Sequence, residues 1–240
     1  MQVNFRYGVK VIDLEAQLQY LDEYKQKLEQ LIGKEKMEYN IKNAAFVISC
    51  GTNDLVYTYG LDYLPLEPEN VASYLQLMLN RNKLFLEGLK DRGARRIGVV
   101  GLPPVGCLPI VMTLHPSLYQ PRSCVESLSS MAIDFNKMLI HQLNIMQASQ
   151  PNIIIVYADI YGPLQDQYSY PYKYGFEVVD KGCCGTGLFE GSLACNLMSP
   201  ICNDRSKYAF WDAIHPTERS YYFVCQALHA TVDSIVRPIN

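Results

Sequence analysis

Apolar positions along the chain follow two rhythms. One is helical. Leu14, Leu18, Leu21, Leu28 and Leu31 recur at three- and four-residue steps, which predicts an amphipathic helix over 13–32 that Gly33 stops. The same rhythm predicts helices over 69–90, ended by Gly93, over 124–147, and over 216–236, where Pro216 suits a first turn. The other rhythm is a short unbroken apolar run. Residues 44–50, 96–101 and 152–158 read this way, each bounded by polar or turn-forming residues, and each predicts a buried strand. A short helical turn is expected over 160–167.

Helices and continuous apolar strands therefore alternate. That order predicts the α/β class, with a parallel sheet covered on both faces and right-handed crossovers. In such sheets the active crevice lies beyond the carboxyl ends of the strands. Gly51-Thr52-Asn53-Asp54 emerges there after the first predicted strand. A long stretch, 161–214, shows neither rhythm and ends at Asp212 and His215. A loop of that length in a compact domain is functional or crosslinked.

Composition narrows the picture. The 240 residues include 49% hydrophobic and 19% charged side chains, which is ordinary for a globular chain and enough for one sizeable core without crosslinks. One domain spanning 1–240 is expected. The net charge of −3 supplies no basic excess for phosphates, which disfavours nucleic acid as a partner. No integral membrane segment is expected, because the most apolar stretch, 97–114, is interrupted by Pro103, Pro104 and Pro109. Residues 1–10 lack the apolar core of a signal peptide. The eight cysteines point the other way. Four of them, Cys183, Cys184, Cys195 and Cys202, share one loop-like stretch, as disulfides in an oxidising compartment do. Free thiols are a second reading. Zinc is a third, weakened by the absence of a Cys-x-x-Cys pair and of any His among the four.

Two constellations offer chemistry. In Asp212-Ala213-Ile214-His215, a carboxylate and an imidazole three positions apart can sit side by side on one helical turn. The carboxylate would fix the imidazole's tautomer and stabilise the imidazolium, as a general base for a hydroxyl nucleophile requires. The bland reading is a helix-entry Asp followed by an incidental His. In Gly51-Thr52-Asn53-Asp54, Gly51 permits a sharp exit from the strand and the Asn53 amide offers uncharged donors to an oxyanion. The bland reading is a turn. His115, His141 and His229 are read as packing or surface residues. Tyr57, Tyr59 and Tyr63 follow Asn53 and are read as packing before acyl contact.

Taken in order, four segments resemble the plant branch of the GDSL esterase/lipase (SGNH hydrolase) family. They are Gly51-Thr52-Asn53-Asp54, the run from Gly101 through Pro103-Pro104 and Cys107 to Pro109, Gly182-Cys183-Cys184-Gly185-Thr186-Gly187, and Phe210-Trp211-Asp212-Ala213-Ile214-His215-Pro216. The resemblance covers nearly the whole chain. It implies a flavodoxin-like three-layer α/β/α sandwich and ester hydrolysis through an acyl-serine intermediate. It implies His215 as the base, Asp212 as its orienting acid and Asn53 as an oxyanion donor. It implies a small-molecule or lipid acyl ester as the partner, no cofactor, no metal, and a secretory protein. It implies disulfides between Cys107 and Cys124, and between Cys183 or Cys184 and Cys195 or Cys202.

The family's nucleophile lies in a Gly-Asp-Ser-Leu segment after its first strand. None of the 240 positions carries Gly-Asp-Ser, and no Gly-x-Ser-x-Gly elbow occurs. Ser49 falls inside a predicted strand, and Ser192 lies in the cysteine-rich loop without matching context. Val3-Asn4-Phe5 resembles the strand before a second oxyanion block, but Arg6-Tyr7-Gly8 follows where small residues belong, and Gly8 matches no donor. The expectation is an N-terminally truncated member lacking its first strand or strands, with negligible esterase activity. In a 2-1-3-4-5 sheet the loss would leave one edge of the 44–50 strand open. The competing expectations are a non-catalytic acyl- or glycan-binding or interaction protein, and a metal module.

Overall fold

The structure, a computed structural model, describes residues 12–61, 68–116 and 122–236. Val3, Asn4, Phe5, Arg6, Tyr7, Gly8 and Tyr63 lie outside them. Helix α1 (Leu14–Ile32) starts where the Asp13 carboxylate accepts from the Ala16 N–H at 2.7 Å, and Gly33 ends it at φ 82°. Leu14, Leu18 and Leu21 pack against the core, whereas Leu31 stands exposed beyond it. Helix α2 (Lys34–Asn43) follows at once. Its charged sequence hides a single apolar step, Met37 and Ile41, so hydrophobic spacing does not announce it.

Strands β1 (Ala45–Ser49), β2 (Arg96–Val100) and β3 (Ile154–Ala158) form a parallel sheet in the order β1-β2-β3, in register from Ala45↔Arg96 and Arg96↔Ile154. Helices α4 (Pro68–Asp91) and α6 (Glu126–Ser149) make the crossovers and pack on each other. Along β2 side chains alternate between faces. Gly98 and Arg96 face α9 (His229–Val236): a Cβ at Gly98 would lie 2.6 Å from Ile235, and Arg96 Nη1 donates to the Ile235 carbonyl at 2.9 Å. Ile97 and Val99 point to the other face, fully buried in the core that contains Leu86 and Leu139. The result is a sheet with helices on both faces, the three-layer α/β/α arrangement expected.

Side-chain amides of α6 clip the strand ends. Asn136 accepts from the Leu102 N–H at 2.7 Å and donates to its carbonyl at 2.9 Å; Gln147 makes the same two-way contact with Ile155 and Ile153. Buried backbone that leaves a sheet needs such partners.

Three expectations change. The helical turn expected over 160–167 is α7 (Tyr161–Ser169), but the rest of the 161–214 stretch is not structureless: it holds β4 (Val178–Gly182) and β5 (Tyr208–Phe210), paired in parallel. β5 is too short, and β4 too broken by Asp180 and Lys181, to show a period. The 216–236 helix is two helices, α8 (Glu218–Ala227) and α9, redirected at Leu228. α8 packs on α7 and β5, while α9 packs on β2 and β3, and one straight rod could not reach both surfaces. Pro216 precedes the N-cap, which is Thr217, rather than occupying the first turn.

Among the described residues the outer edge of β1 has no strand partner. Val47 is 69% exposed, which is unusual in a parallel sheet.

Candidate active site

Strand β1 delivers the chain to Gly51, whose φ of 105° turns it directly into helix α3 (Thr52–Leu55). Only glycine enters that region without strain. Asn53 lies in the first turn of α3, exposed, at the carboxyl end of the sheet. It sits on a helix, not in the loose turn that was the bland alternative. The helix continues as one π-helical turn, Val56–Gly60. Tyr59 in that turn is buried and packs edge-on against Tyr74 at 5.5 Å, and Tyr57 is half-buried. Asp54 is buried, and burial pushes its carboxyl up to about 6. It lines a cavity of about 580 Å³ with Leu14, Tyr74, Met78 and Phe85.

Asp212 and His215 meet, but not on a helical turn. Residues 211–215 form a bend in which Asp212 Oδ1 accepts from the N–H groups of Ile214 (2.7 Å) and His215 (2.6 Å). Trp211 N–H closes the bend on the His215 carbonyl at 2.8 Å. The side chain thus supplies the acceptor that a helix backbone would have offered. Asp212 Oδ2 then accepts from His215 Nδ1 at 2.8 Å and from the Ser192 N–H at 2.9 Å.

Electrostatics follow from these contacts. Burial alone would raise the Asp212 carboxyl, but hydrogen bonds from the His215 ring and from the His215, Ser192 and Ile214 amides hold it below its usual range. The hydrogen bond that His215 donates to Asp212 raises the imidazole above its ordinary value of 6.5, against the smaller effect of desolvation. The imidazole remains 51% exposed while Asp212 is sealed. The pairing keeps the ring proton on Nδ1 and leaves Nε2 as the basic nitrogen.

The close fit around Asp212 has a backbone cause. A Cβ at Gly182, the end of β4, would lie 2.6 Å from the Asp212 carbonyl carbon, so only glycine lets the strand pass. The cysteine-rich loop holds the other side. Ala213 N–H bonds the Glu190 carbonyl at 2.8 Å, and Ser192 adopts φ 53° to aim its amide at Asp212. The Glu190 carboxylate gathers the Thr186 amide and hydroxyl and the Gly187 and Phe189 amides. Those hydrogen bonds outweigh desolvation and bring its carboxyl down to about 2. Neither the role of Glu190 nor that of the Ser192 amide was visible in sequence, because both act through backbone geometry. Only the proximity of Glu190-Gly191-Ser192 to the cysteines hinted at them.

The π-helical turn that continues α3 and the Asp212–His215 bend flank one short helix, α5 (Pro109–Leu114). The Ile110 N–H bonds the Ala213 carbonyl at 3.0 Å. On the other flank, His115 Nε2 lies 2.9 Å from the Gly60 carbonyl, and a Cβ at Gly60 would lie 3.2 Å from Val111. No hydrogen bond joins Asn53 to His215 among the described residues. Ser49 is exposed on β1 and Ser192 offers its amide, not its hydroxyl, to Asp212. His141 is exposed on α6, and His229 pairs with Asp233 on the α9 surface at 3.4 Å.

Six cysteines form three disulfides among the described residues: Cys107–Cys124, Cys183–Cys202 and Cys184–Cys195. Cys50 and Cys225 are free thiols, and burial pushes the first up to about 11. The four cysteines of the 183–202 stretch, which the zinc reading would have drawn on, are all taken up in disulfides. Among the described residues no helix is long and apolar enough to cross a membrane.

The family described as GDSL-like Lipase/Acylhydrolase matches residues 3–228. The Arabidopsis thaliana GDSL esterase/lipase At5g45960 is 41% identical over 229 residues, 94% of this chain and 61% of that protein. GDSL esterase/lipase EXL2 of the same plant is 41% identical over 212 residues, covering 88% of this chain and 55% of its own length. EXL3 is 39% identical over 215 residues, covering 89% and 58%. The chain therefore spans a little over half the length of these relatives. With four sequence segments, a three-layer fold and a paired carboxylate and imidazole in agreement, the chain belongs to the GDSL-like lipase/acylhydrolase family.

Proposed function

We propose that this chain carries most of the machinery of an acyl-ester hydrolase working by a Ser-His-Asp mechanism. The observation that carries the reading is the 2.8 Å bond from His215 Nδ1 to a sealed Asp212 carboxylate, with the ring itself half-exposed. His215 Nε2 takes the proton of a hydroxyl as that hydroxyl attacks the ester carbonyl, then returns it to the leaving alcohol. Asp212 holds the tautomer and stabilises the imidazolium. The Asn53 amide donates to the tetrahedral oxyanion. The three disulfides fit a protein that folds in an oxidising, secretory compartment.

The 240 residues hold no Gly-Asp-Ser, so by themselves they lack the covalent route and have negligible esterase activity. The same observation favours a second reading, a single-domain, non-catalytic acyl- or glycan-binding protein built on the same fold.

Two proteins separate the readings: the chain itself, and a version extended at its N-terminus by a Gly-Asp-Ser-bearing segment from a relative. Hydrolysis of a short-chain aryl ester and covalent labelling by a fluorophosphonate are followed in both. The extended protein is expected to hydrolyse and to label, His215→Ala to abolish both, and Asn53→Ala to slow hydrolysis roughly a hundredfold or more. Labelling that is absent, or that ignores His215→Ala, rejects the hydrolase reading. Stoichiometric binding of an acyl ligand by the unextended chain supports the second.

A further inference from the structure

Residues 191–203 run Gly-Ser-Leu-Ala-Cys-Asn-Leu-Met-Ser-Pro-Ile-Cys-Asn, without a charged side chain. The Cys184–Cys195 and Cys183–Cys202 disulfides pin this loop at Cys195 and at Cys202. Its apolar residues nevertheless point outward. Leu193 is 92% exposed, Leu197 104% and Met198 91%, with Phe189 and Ile201 exposed beside them. Isolated surface leucines need no explanation, but several nearly free apolar side chains on one crosslinked loop do. The crosslinks prevent the loop from folding back to bury them. Hydrogen bonds of its own backbone reinforce the shape, from Ala194 N–H to Gly191 O and from Cys195 N–H to Ser192 O.

The same loop grips the active-site bend. Ser192 N–H bonds Asp212, Ala213 N–H bonds the Glu190 carbonyl, and a Cβ on Gly191 would lie 2.7 Å from Ile214. The apolar tips and the Asp212–His215 pair are thus parts of one rigid unit.

We propose that loop 191–203 is a lipid-contact surface that seats the chain on uncharged acyl layers beside the Asp212–His215 pair. Three features select this occupant. The exposed tips are aliphatic or thioether, which an acyl layer accepts in any arrangement. The loop contains no Trp, Tyr or Arg, the residues that anchor protein interfaces. It also contains no Lys or Arg, so it has nothing with which to seek anionic headgroups. The proposal deepens the ester-hydrolase reading, on which it rests for its relation to substrate, by naming a lipid-phase ester over a freely dissolved one. The binding itself does not depend on turnover.

The test is co-sedimentation of the 240-residue chain with sucrose-loaded phosphatidylcholine vesicles, scored without any hydrolysis measurement. The chain is expected to partition onto the vesicles, with little change between low and high salt. The double variant Leu197→Asp/Met198→Asp should lose roughly tenfold or more of that partitioning. Leu31→Asp, on the exposed end of α1, should lose none. Far-UV circular dichroism and thiol titration confirm that the loop variant keeps its fold and disulfides; if it does not, the single variant Leu193→Asp replaces it. Absent binding overturns the proposal, as does binding indifferent to the loop substitutions or confined to phosphatidylserine vesicles at low salt. Self-association in sedimentation velocity, abolished by the same substitutions, would assign the surface to a second copy instead.

Discussion

At the residue scale, the site is a problem in holding one carboxylate still and charged. Asp212 takes four hydrogen bonds while almost fully buried, and the one it accepts from the imidazole is what chiefly raises His215. Removing the charge should therefore release the ring. In Asp212→Asn the His215 titration, followed by proton NMR of the imidazole, is expected to fall toward or below 6.5, from a value above it in the parent. An unchanged titration would mean that the pair does not govern the ring. Gly182 sets the second residue-scale limit. A methyl group there meets backbone, which cannot rotate away, at 2.6 Å. Gly182→Ala is expected to cost about 1–3 kcal/mol or more by denaturant unfolding.

At the element scale, the cysteine-rich loop and the sheet edge behave oppositely. The loop is irregular yet fixed, because crosslinks and the Glu190 carboxylate supply what a regular ladder would. The Cys184–Cys195 bond spans a separation of 11 residues, so Cys184→Ser/Cys195→Ser is expected to cost roughly 2–3 kcal/mol in thermal unfolding. Strand β1 is regular yet open. Its outer edge is unpaired among the described residues, and Val47 stands in solvent. Such an edge templates association. Val47→Lys should slow aggregation measured by light scattering while shifting stability by no more than about 0.5 kcal/mol; a large loss of stability would show that Val47 packs after all.

At the scale of the whole molecule, four titrations combine into a pH profile. Asp54 is raised from 3.8 to about 6 and His215 is raised above 6.5, so the folded state binds protons more tightly at both. Stability therefore increases as pH falls from neutral through these values. Glu190 is depressed from 4.5 to about 2 and Asp212 is depressed below 3.8. Their contribution is present above the unfolded values and is lost as pH falls below about 4.5 toward 2. The expected outcome is a melting temperature that peaks in mildly acidic solution, between about 4.5 and 6, and drops steeply below. A monotonic rise in stability from pH 5 to 8 would contradict the buried state of Asp54.

The chain's own order of residues determined more of this protein than its missing serine suggests. Continuous apolar runs at 44–50, 96–101 and 152–158 announced the three parallel strands, although only β2 is buried along most of its length and β1 has an open outer edge among the described residues. Gly51, Asn53, Asp212 and His215 stood out because four segments in order resemble one family; by spacing alone they read as a turn and an incidental His. What only the tertiary structure decided was contact between distant segments. Helix α2 buries only Met37 and Ile41, and strands β4 and β5 and the break at Leu228 draw their stability from partners far along the chain, so no local period records them. The choice among disulfide pairings depended on which cysteines the folded loop brings together. Asp212 and His215 proved to share a bend, not a helix, because Gly182 and the Glu190–Ser192 backbone close in around them. A sequence names the groups that can react; the packing of remote backbone decides which of them can be held in place.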